Sequence, residues 1–301
     1  MLRKKTYFVH DCMAFQLRSL LVILRQRRLL PDNFSKDQPM AYETLLFDVT
    51  GNVAHITMNR PDAANSLNAA LAHDLMMAAI RCDEEAGIRA AILTGAGKMF
   101  CAGGDLKTFA TFGADTGVKL KEITTYLHAA TSRFMRMDAP LIVAVNGIAA
   151  GAGMSLAAAS DFTIAARSAK FTMAYTNAGL SPDGSSSWFL PRLVGLRRTQ
   201  ELMLTNRLLD AGEALEWGVV SQVVDDDALA DTAMELARRF ASGPTLAYGA
   251  VKTLLVDSFT NSLETQLELE ARLIARTAQT GDGREGIAAF VAKRKPAFKG
   301  D

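Results

Sequence analysis

Two glycine-bearing loops are the part of this sequence best suited to chemistry. Phe100-Cys101-Ala102-Gly103-Gly104-Asp105-Leu106 and Asn146-Gly147-Ile148-Ala149-Ala150-Gly151-Ala152-Gly153-Met154 each follow a short apolar run that reads as a buried strand. Glycine at such a place lets the backbone come close to a ligand. If the two strands are neighbours, free N–H groups from both loops converge on one oxygen, the second assisted by the partial positive charge of a helix N-terminus. That is an oxyanion hole, which holds negative charge developing on a carbonyl oxygen. The same residues also fit plain strand-to-helix turns, and periodicity alone leaves both readings open.

Three other motifs do not survive inspection. Gly95-Ala96-Gly97-Lys98 has Met99 where a phosphate loop needs Ser or Thr, and its glycine spacing is wrong. Gly151-Ala152-Gly153 lacks the third glycine of a dinucleotide fingerprint and has no acid at the ribose-reading distance. Gly153-Met154-Ser155-Leu156-Ala157 begins like a nucleophile elbow but ends in Ala, and no His follows Ser155.

The elements that must position these loops alternate. Leu45–Val49 and Val53–Met58 read as strands, Ala69–Cys82 as a helix, and Ala90–Leu93 as a strand before the first loop. A second pass gives a helix over Val118–Met137, strand Leu141–Val145, the second loop into Met154–Ala159, and strand Phe162–Ala165. After about Gly195 only Val219–Val224 has strand character; Ala228–Ala241, Pro244–Asp257, Leu263–Ala278 and Gly286–Lys293 read as helices. The expected division is residues 41–195 as a catalytic core and 196–301 as a helical C-terminal part, with no Pro- or Ser-rich linker between them. Residues 1–39 are basic and apolar, with Asp11 the sole acid before Asp32, and are expected to be a poorly ordered N-terminal extension. Their composition also fits an amphipathic targeting or membrane-surface helix.

Composition narrows the function. The chain has 301 residues, 49% of them hydrophobic, enough for a large buried core. A formal charge of +1 and the lack of a sustained basic stretch over residues 41–280 argue against nucleic acid as a partner. The three cysteines, Cys12, Cys82 and Cys101, are too few for a disulfide framework or a zinc quartet, and they suit a reducing, cytoplasmic setting. No metal is expected. The apolar stretch Ala139–Ala159 is broken by Asn146, Gly147, Gly151 and Gly153, short of the roughly 20 unbroken residues of a membrane span.

Several separated segments then carry a resemblance. Met58-Asn59-Arg60-Pro61 with Asn65 and Leu67, Phe100–Leu106, Val145–Gly153 leading to Asp161, Ala211 with Glu213-Ala214-Leu215, and Gly218-Val219-Val220 come in a telling order. They resemble the successive signatures of the enoyl-CoA hydratase/isomerase (crotonase) superfamily, over about residues 42–299. The resemblance implies an α/β fold, a crotonase-like spiral of ββα turns with a C-terminal helical subdomain used in trimer assembly, alone or paired into hexamers. It implies an acyl-CoA substrate and no cofactor beyond the coenzyme A of that substrate. The family's two oxyanion amides fall on Gly104 and Ala152. Ala64, Ala102, Gly103 and Leu106 would line the groove, and Asp105 would either meet substrate or fix its own loop. The closing segment Phe290–Lys299 is similar to one that meets the nucleotide end of coenzyme A, although a solvated basic tail fits equally.

The departures from the family pattern are informative. Hydratases of this family use two glutamates to activate water and protonate carbon; here those places hold Ser155 and Tyr175. Neither side chain is a carboxylate base at neutral pH. Asp183, in Leu180-Ser181-Pro182-Asp183-Gly184, stands where double-bond isomerases and an aryl-CoA dehalogenase branch place a catalytic aspartate. One carboxylate suits a 1,3-proton shift, and Pro-Asp-Gly also suits a bare turn. His128 stands where the dehalogenase branch carries a histidine, and with Asp183 it would permit a nucleophilic route. The expectation is an acyl-CoA double-bond isomerase using Asp183. The alternatives are an enoyl-CoA hydratase, an aryl-CoA dehalogenase or hydrolase using Asp183 and His128, and a non-catalytic acyl-CoA-binding subunit.

Overall fold

The computed structural model of the chain describes residues 41–301. The N-terminal extension expected over residues 1–39 lies outside the described residues. Two strands, β1 (Leu45–Thr50) and β2 (Val53–Met58), form an antiparallel hairpin. From β2 onward the same sheet is parallel, through β3 (Ala90–Gly95), β4 (Leu141–Val145), β6 (Phe162–Ala166) and β9 (Gln222–Val224). Its strand order is β1-β2-β3-β4-β6-β9. All five residues of β4 and five of the six in β3 are buried, as parallel strands covered on both faces require.

Parallel neighbours need crossovers, and the sequence supplies them as amphipathic helices. Helix α1 (Ala69–Glu84) starts at Asn68, whose side chain accepts from the Leu71 N–H, and buries Leu71, Ala72, Leu75, Ala78, Ala79 and Cys82 along one face. That spacing is the apolar stripe of a helix lying on a core. After a short helix α2 (Leu106–Phe109) comes α3 (Thr116–Arg136), which packs along α1. None of the described helices is long and apolar enough to cross a membrane.

A second sheet escapes strand-by-strand reading of the sequence. β5 (Ile148–Ala150), β7 (Lys170–Thr172) and β8 (Leu209–Asp210) pair in the order β5-β7-β8, each only two or three residues long. Runs this short show no alternation, so pairing alone reveals them. Between β5 and β6 lies α4 (Ala152–Ala158).

The C-terminal third is mostly helical, with α5 (Ser186–Val194), α6 (Leu196–Thr205), α7 (Ala211–Trp217), α8 (Leu229–Ala241), α9 (Thr245–Asp257), α10 (Leu263–Ala278) and α11 (Gly281–Val291). It also contributes β8 and β9, and α8 packs across β3, β4 and β6. Tyr42–Asp301 accordingly form one compact unit. Asp161 pins this arrangement: its carboxylate accepts from the Leu141 N–H at 2.8 Å, fixing the start of the preceding strand β4, and pairs with Lys252 Nζ of α9 at 2.7 Å.

Candidate active site

The two glycine loops run side by side. The Cys101 N–H donates to Ile148 O at 3.1 Å and the Ala150 N–H to Cys101 O at 2.9 Å, so the loop after β3 is stitched to β5. The approach is too close for side chains. A Cβ on Gly153 would sit 2.4 Å from the Cys101 carbonyl oxygen, and Gly103, at φ +93°, has Ala150 O only 3.0 Å from where its Cβ would be. These glycines therefore serve backbone approach, the physical reason the sequence places them there.

Gly104 and Ala152 line one cavity of about 360 Å³, together with Ala102, Gly103, Tyr175 and Asp183. Among the described residues, neither the Gly104 N–H nor the Ala152 N–H donates to a protein acceptor. Most of the remaining wall is apolar, with Leu106, Phe109, Leu120, Ile123, Leu127 and Leu180, beside Lys121, Thr124 and Ser181. Four of these, Phe109 and the α3 face Leu120, Ile123 and Leu127, were not singled out by sequence. Spacing of i, i+3, i+7 on a helix reads as ordinary core, and only the fold shows that this stretch of α3 faces a cavity. The lining holds a single carboxylate, Asp183, and a single cation, Lys121.

Asp183 precedes α5 in a turn whose backbone is tied down. Its carbonyl accepts from Ser155 Oγ at 3.0 Å and from Ser186 Oγ at 2.9 Å. Its carboxylate accepts from the Tyr175 hydroxyl instead of from its own turn. Burial, and then the negative charge of Asp183, push the Tyr175 phenol far above its ordinary pKa, so it remains a proton donor.

Other expected residues take different places. Ser155 is fully buried, off the cavity wall, with Oγ 3.1 Å from Gly151 O and 3.3 Å from Tyr175 Oη, and it supports Asp183 from behind. Ala64 is also off the wall; its carbonyl accepts from the Ala102 N–H at 3.0 Å. Asp105 is buried and turned away, bonded to Arg60 at 2.9 Å and capping α2 through the Thr108 N–H at 3.1 Å. Burial alone would raise its pKa, but Arg60 and Thr108 outweigh burial and hold it below the usual carboxylate value. Asp105 thus fixes its loop. His128, on α3, lines a neighbouring cavity, with Nε2 3.9 Å from Asp183 Oδ2.

Relatives extend this picture. A family model described as enoyl-CoA hydratase/isomerase matches residues 48–301. The chain is 41% identical over 259 residues to the 1,2-epoxyphenylacetyl-CoA isomerase of Escherichia coli strain K12, covering 86% of this chain and 99% of that protein. It is 34% identical to 4-chlorobenzoyl coenzyme A dehalogenase-2 of an Arthrobacter species, covering 81% of this chain and 89% of that one. The crystal structure of an enoyl-CoA hydratase from Bacillus anthracis matches with a TM-score of 0.80 at 35% identity, over 86% of this chain and 100% of that chain. The mixed α/β core with C-terminal helices is shared with that structure. On these matches and this fold, the chain belongs to the enoyl-CoA hydratase/isomerase (crotonase) superfamily, an enzyme family acting on acyl-CoA.

Proposed function

We propose that this enzyme is an acyl-CoA isomerase that moves a double bond, with Asp183 carrying the proton and the Gly104 and Ala152 N–H groups donating to the thioester oxygen. The observation that carries this reading is that Asp183 is the one carboxylate on a cavity wall it shares with both amides. The carboxylate takes a proton from C2 of a 3-enoyl thioester, leaving a dienolate whose negative oxygen accepts from the two amides. The same carboxyl then returns a proton to C4, and the double bond lies between C2 and C3. Each such donor typically contributes about 3–4 kcal/mol to the transition state. The residues at the two glutamate places, Ser155 and Tyr175, offer no second carboxylate to activate water, which disfavours a two-glutamate hydratase. The likeness to a 1,2-epoxyphenylacetyl-CoA isomerase also supports the isomerase class.

The apolar wall suits an acyl or aryl group, and Lys121 offers a cation to the phosphates of the coenzyme. A homotrimer, or a hexamer of two trimers, is the proposed assembly. Helix α10 has no buried residue and exposes Leu263, Leu267 and Ile274, surface that contact with other copies would cover.

A second reading rests on His128 beside Asp183 and on the dehalogenase relative. There the carboxylate attacks an activated aromatic carbon, halide leaves, and water hydrolyses the ester. Incubation with 3-hexenoyl-CoA in deuterated water separates the readings. Double-bond migration that Asp183→Asn slows by about a thousandfold, with acyl-CoA binding kept, is the expected result. Neither migration nor exchange would remove the isomerase, and halide release from 4-chlorobenzoyl-CoA would install the dehalogenase. Acyl-CoA that binds without turnover, equally well to Asp183→Asn, would indicate a binding subunit.

A further inference from the structure

Asp183 stands on the walls of two cavities. One of its oxygens accepts from Tyr175 on the side of the amides, while Oδ2 lies 3.9 Å from His128 Nε2. The second cavity, of about 610 Å³, lies between α3, the turn before α5 and the end of α9. The His128 side chain is 53% exposed there. The charged pair Arg136 and Asp257, 3.8 Å apart, shares the cavity and largely cancels itself. His128 Nε2 accepts from the Gly184 N–H at 3.3 Å. An imidazole nitrogen that accepts carries a lone pair and no proton, which assigns the hydrogen to Nδ1.

A thioester filling the first cavity covers Asp183 from that side and excludes water from it. The route left between the carboxyl and bulk water runs through the second cavity. We infer that His128 is the port through which the proton held by Asp183 exchanges with solvent during turnover. The inference rests on the isomerase reading above.

The transfer balances without any co-reactant. Once the carboxylate has taken the C2 proton, the neutral acid gives it to Nε2, by a small swing of the ring or through one bridging water. The imidazolium then loses the Nδ1 proton to water, leaving the carboxylate and the other neutral tautomer. Reversal of these steps brings a solvent proton back to Asp183 for delivery to C4. A proton that does not leave by this port is returned to the same substrate molecule.

The test is isomerisation of 3-hexenoyl-CoA in deuterated water, with deuterium per product molecule read by mass spectrometry. Wild type is expected to incorporate solvent deuterium, and His128→Phe, which keeps an aromatic ring but cannot carry a proton, to incorporate about tenfold less per turnover. Ser132→Phe, which narrows the second cavity from α3 and leaves His128 in place, should lower the same ratio while the rate of migration holds. Product from wild type that carries no deuterium overturns the port, as does equal incorporation in wild type and both variants. An Asp183→Asn enzyme that still isomerises would instead overturn the carboxylate reading itself, whatever the His128 variant does.

Discussion

The Tyr175 hydroxyl donates to the Asp183 carboxylate from the wall of the same cavity, eight positions earlier in the chain. It fills one carboxylate oxygen and fixes the plane of the group, and its raised pKa keeps it protonated throughout the working pH range. A hydrogen bond to a charged group contributes about 1.5–3 kcal/mol. Tyr175→Phe should therefore lower kcat by about tenfold to a hundredfold, with KM little changed. Steady-state kinetics check this, and a rise in KM at constant kcat would mean that the phenol binds substrate and does not orient Asp183.

Ala152 is the first residue of α4, where the N–H has no helical acceptor. Proline is tolerated at that position because its missing donor is one the helix does not use. Ala152→Pro should thus delete the proposed second oxyanion donor and spare the fold. The expected loss is about a hundredfold to a thousandfold in kcat, with the thermal midpoint close to wild type. An active, stable Ala152→Pro enzyme would show that the thioester oxygen does not meet this amide.

Stability should respond to acid through Asp105. Its carboxyl is held below the ordinary pKa by Arg60 and Thr108 against the opposing effect of burial. A group depressed in the fold binds more protons when unfolded, so its contribution is complete above the ordinary carboxylate pKa. That contribution fades as pH falls through the lower folded value. Asp105→Asn keeps a good helix cap but loses the ion pair. Urea unfolding at a series of acidic pH values should give a shallower pH dependence for this variant than for wild type.

Lys252 is buried, and its ammonium donates to Phe134 O at 2.9 Å and Ala139 O at 3.0 Å while pairing with Asp161. Lys252→Met keeps the stem and leaves three acceptors short of a partner. Breaking a buried pair on one side costs about 3 kcal/mol or more. Chemical denaturation should show a loss of that order, with catalysis at low temperature retained because none of these atoms reaches the cavity.

The sequence by itself determined the long elements, the family and the two glycine loops, and it pointed to the aspartate. Apolar stripes along α1 and α3 and the buried runs of β3 and β4 are local facts with local signatures, as are the glycines themselves, while the carbonyls that a Cβ on Gly153 or Gly103 would meet belong to the other loop. Asp105 as a loop anchor was also legible, since short acids beside helix starts cap or tie backbone, whereas the tie from Asp161 back to the start of β4 and to Lys252 was not. The tertiary structure decided the rest. The strands β5, β7 and β8 exist through pairing and not through any pattern of their own. Ser155 and Tyr175, placed together by resemblance, take different parts because one points into the protein and the other onto the cavity wall. That Leu120, Ile123 and Leu127 line a pocket depends on what α3 faces, and periodicity is the same for a face on a core and a face on a cavity. The position of Asp183 between two cavities has no trace in the chain, because it requires α3, the loop before α5 and α9 to meet in space from residues more than a hundred positions apart.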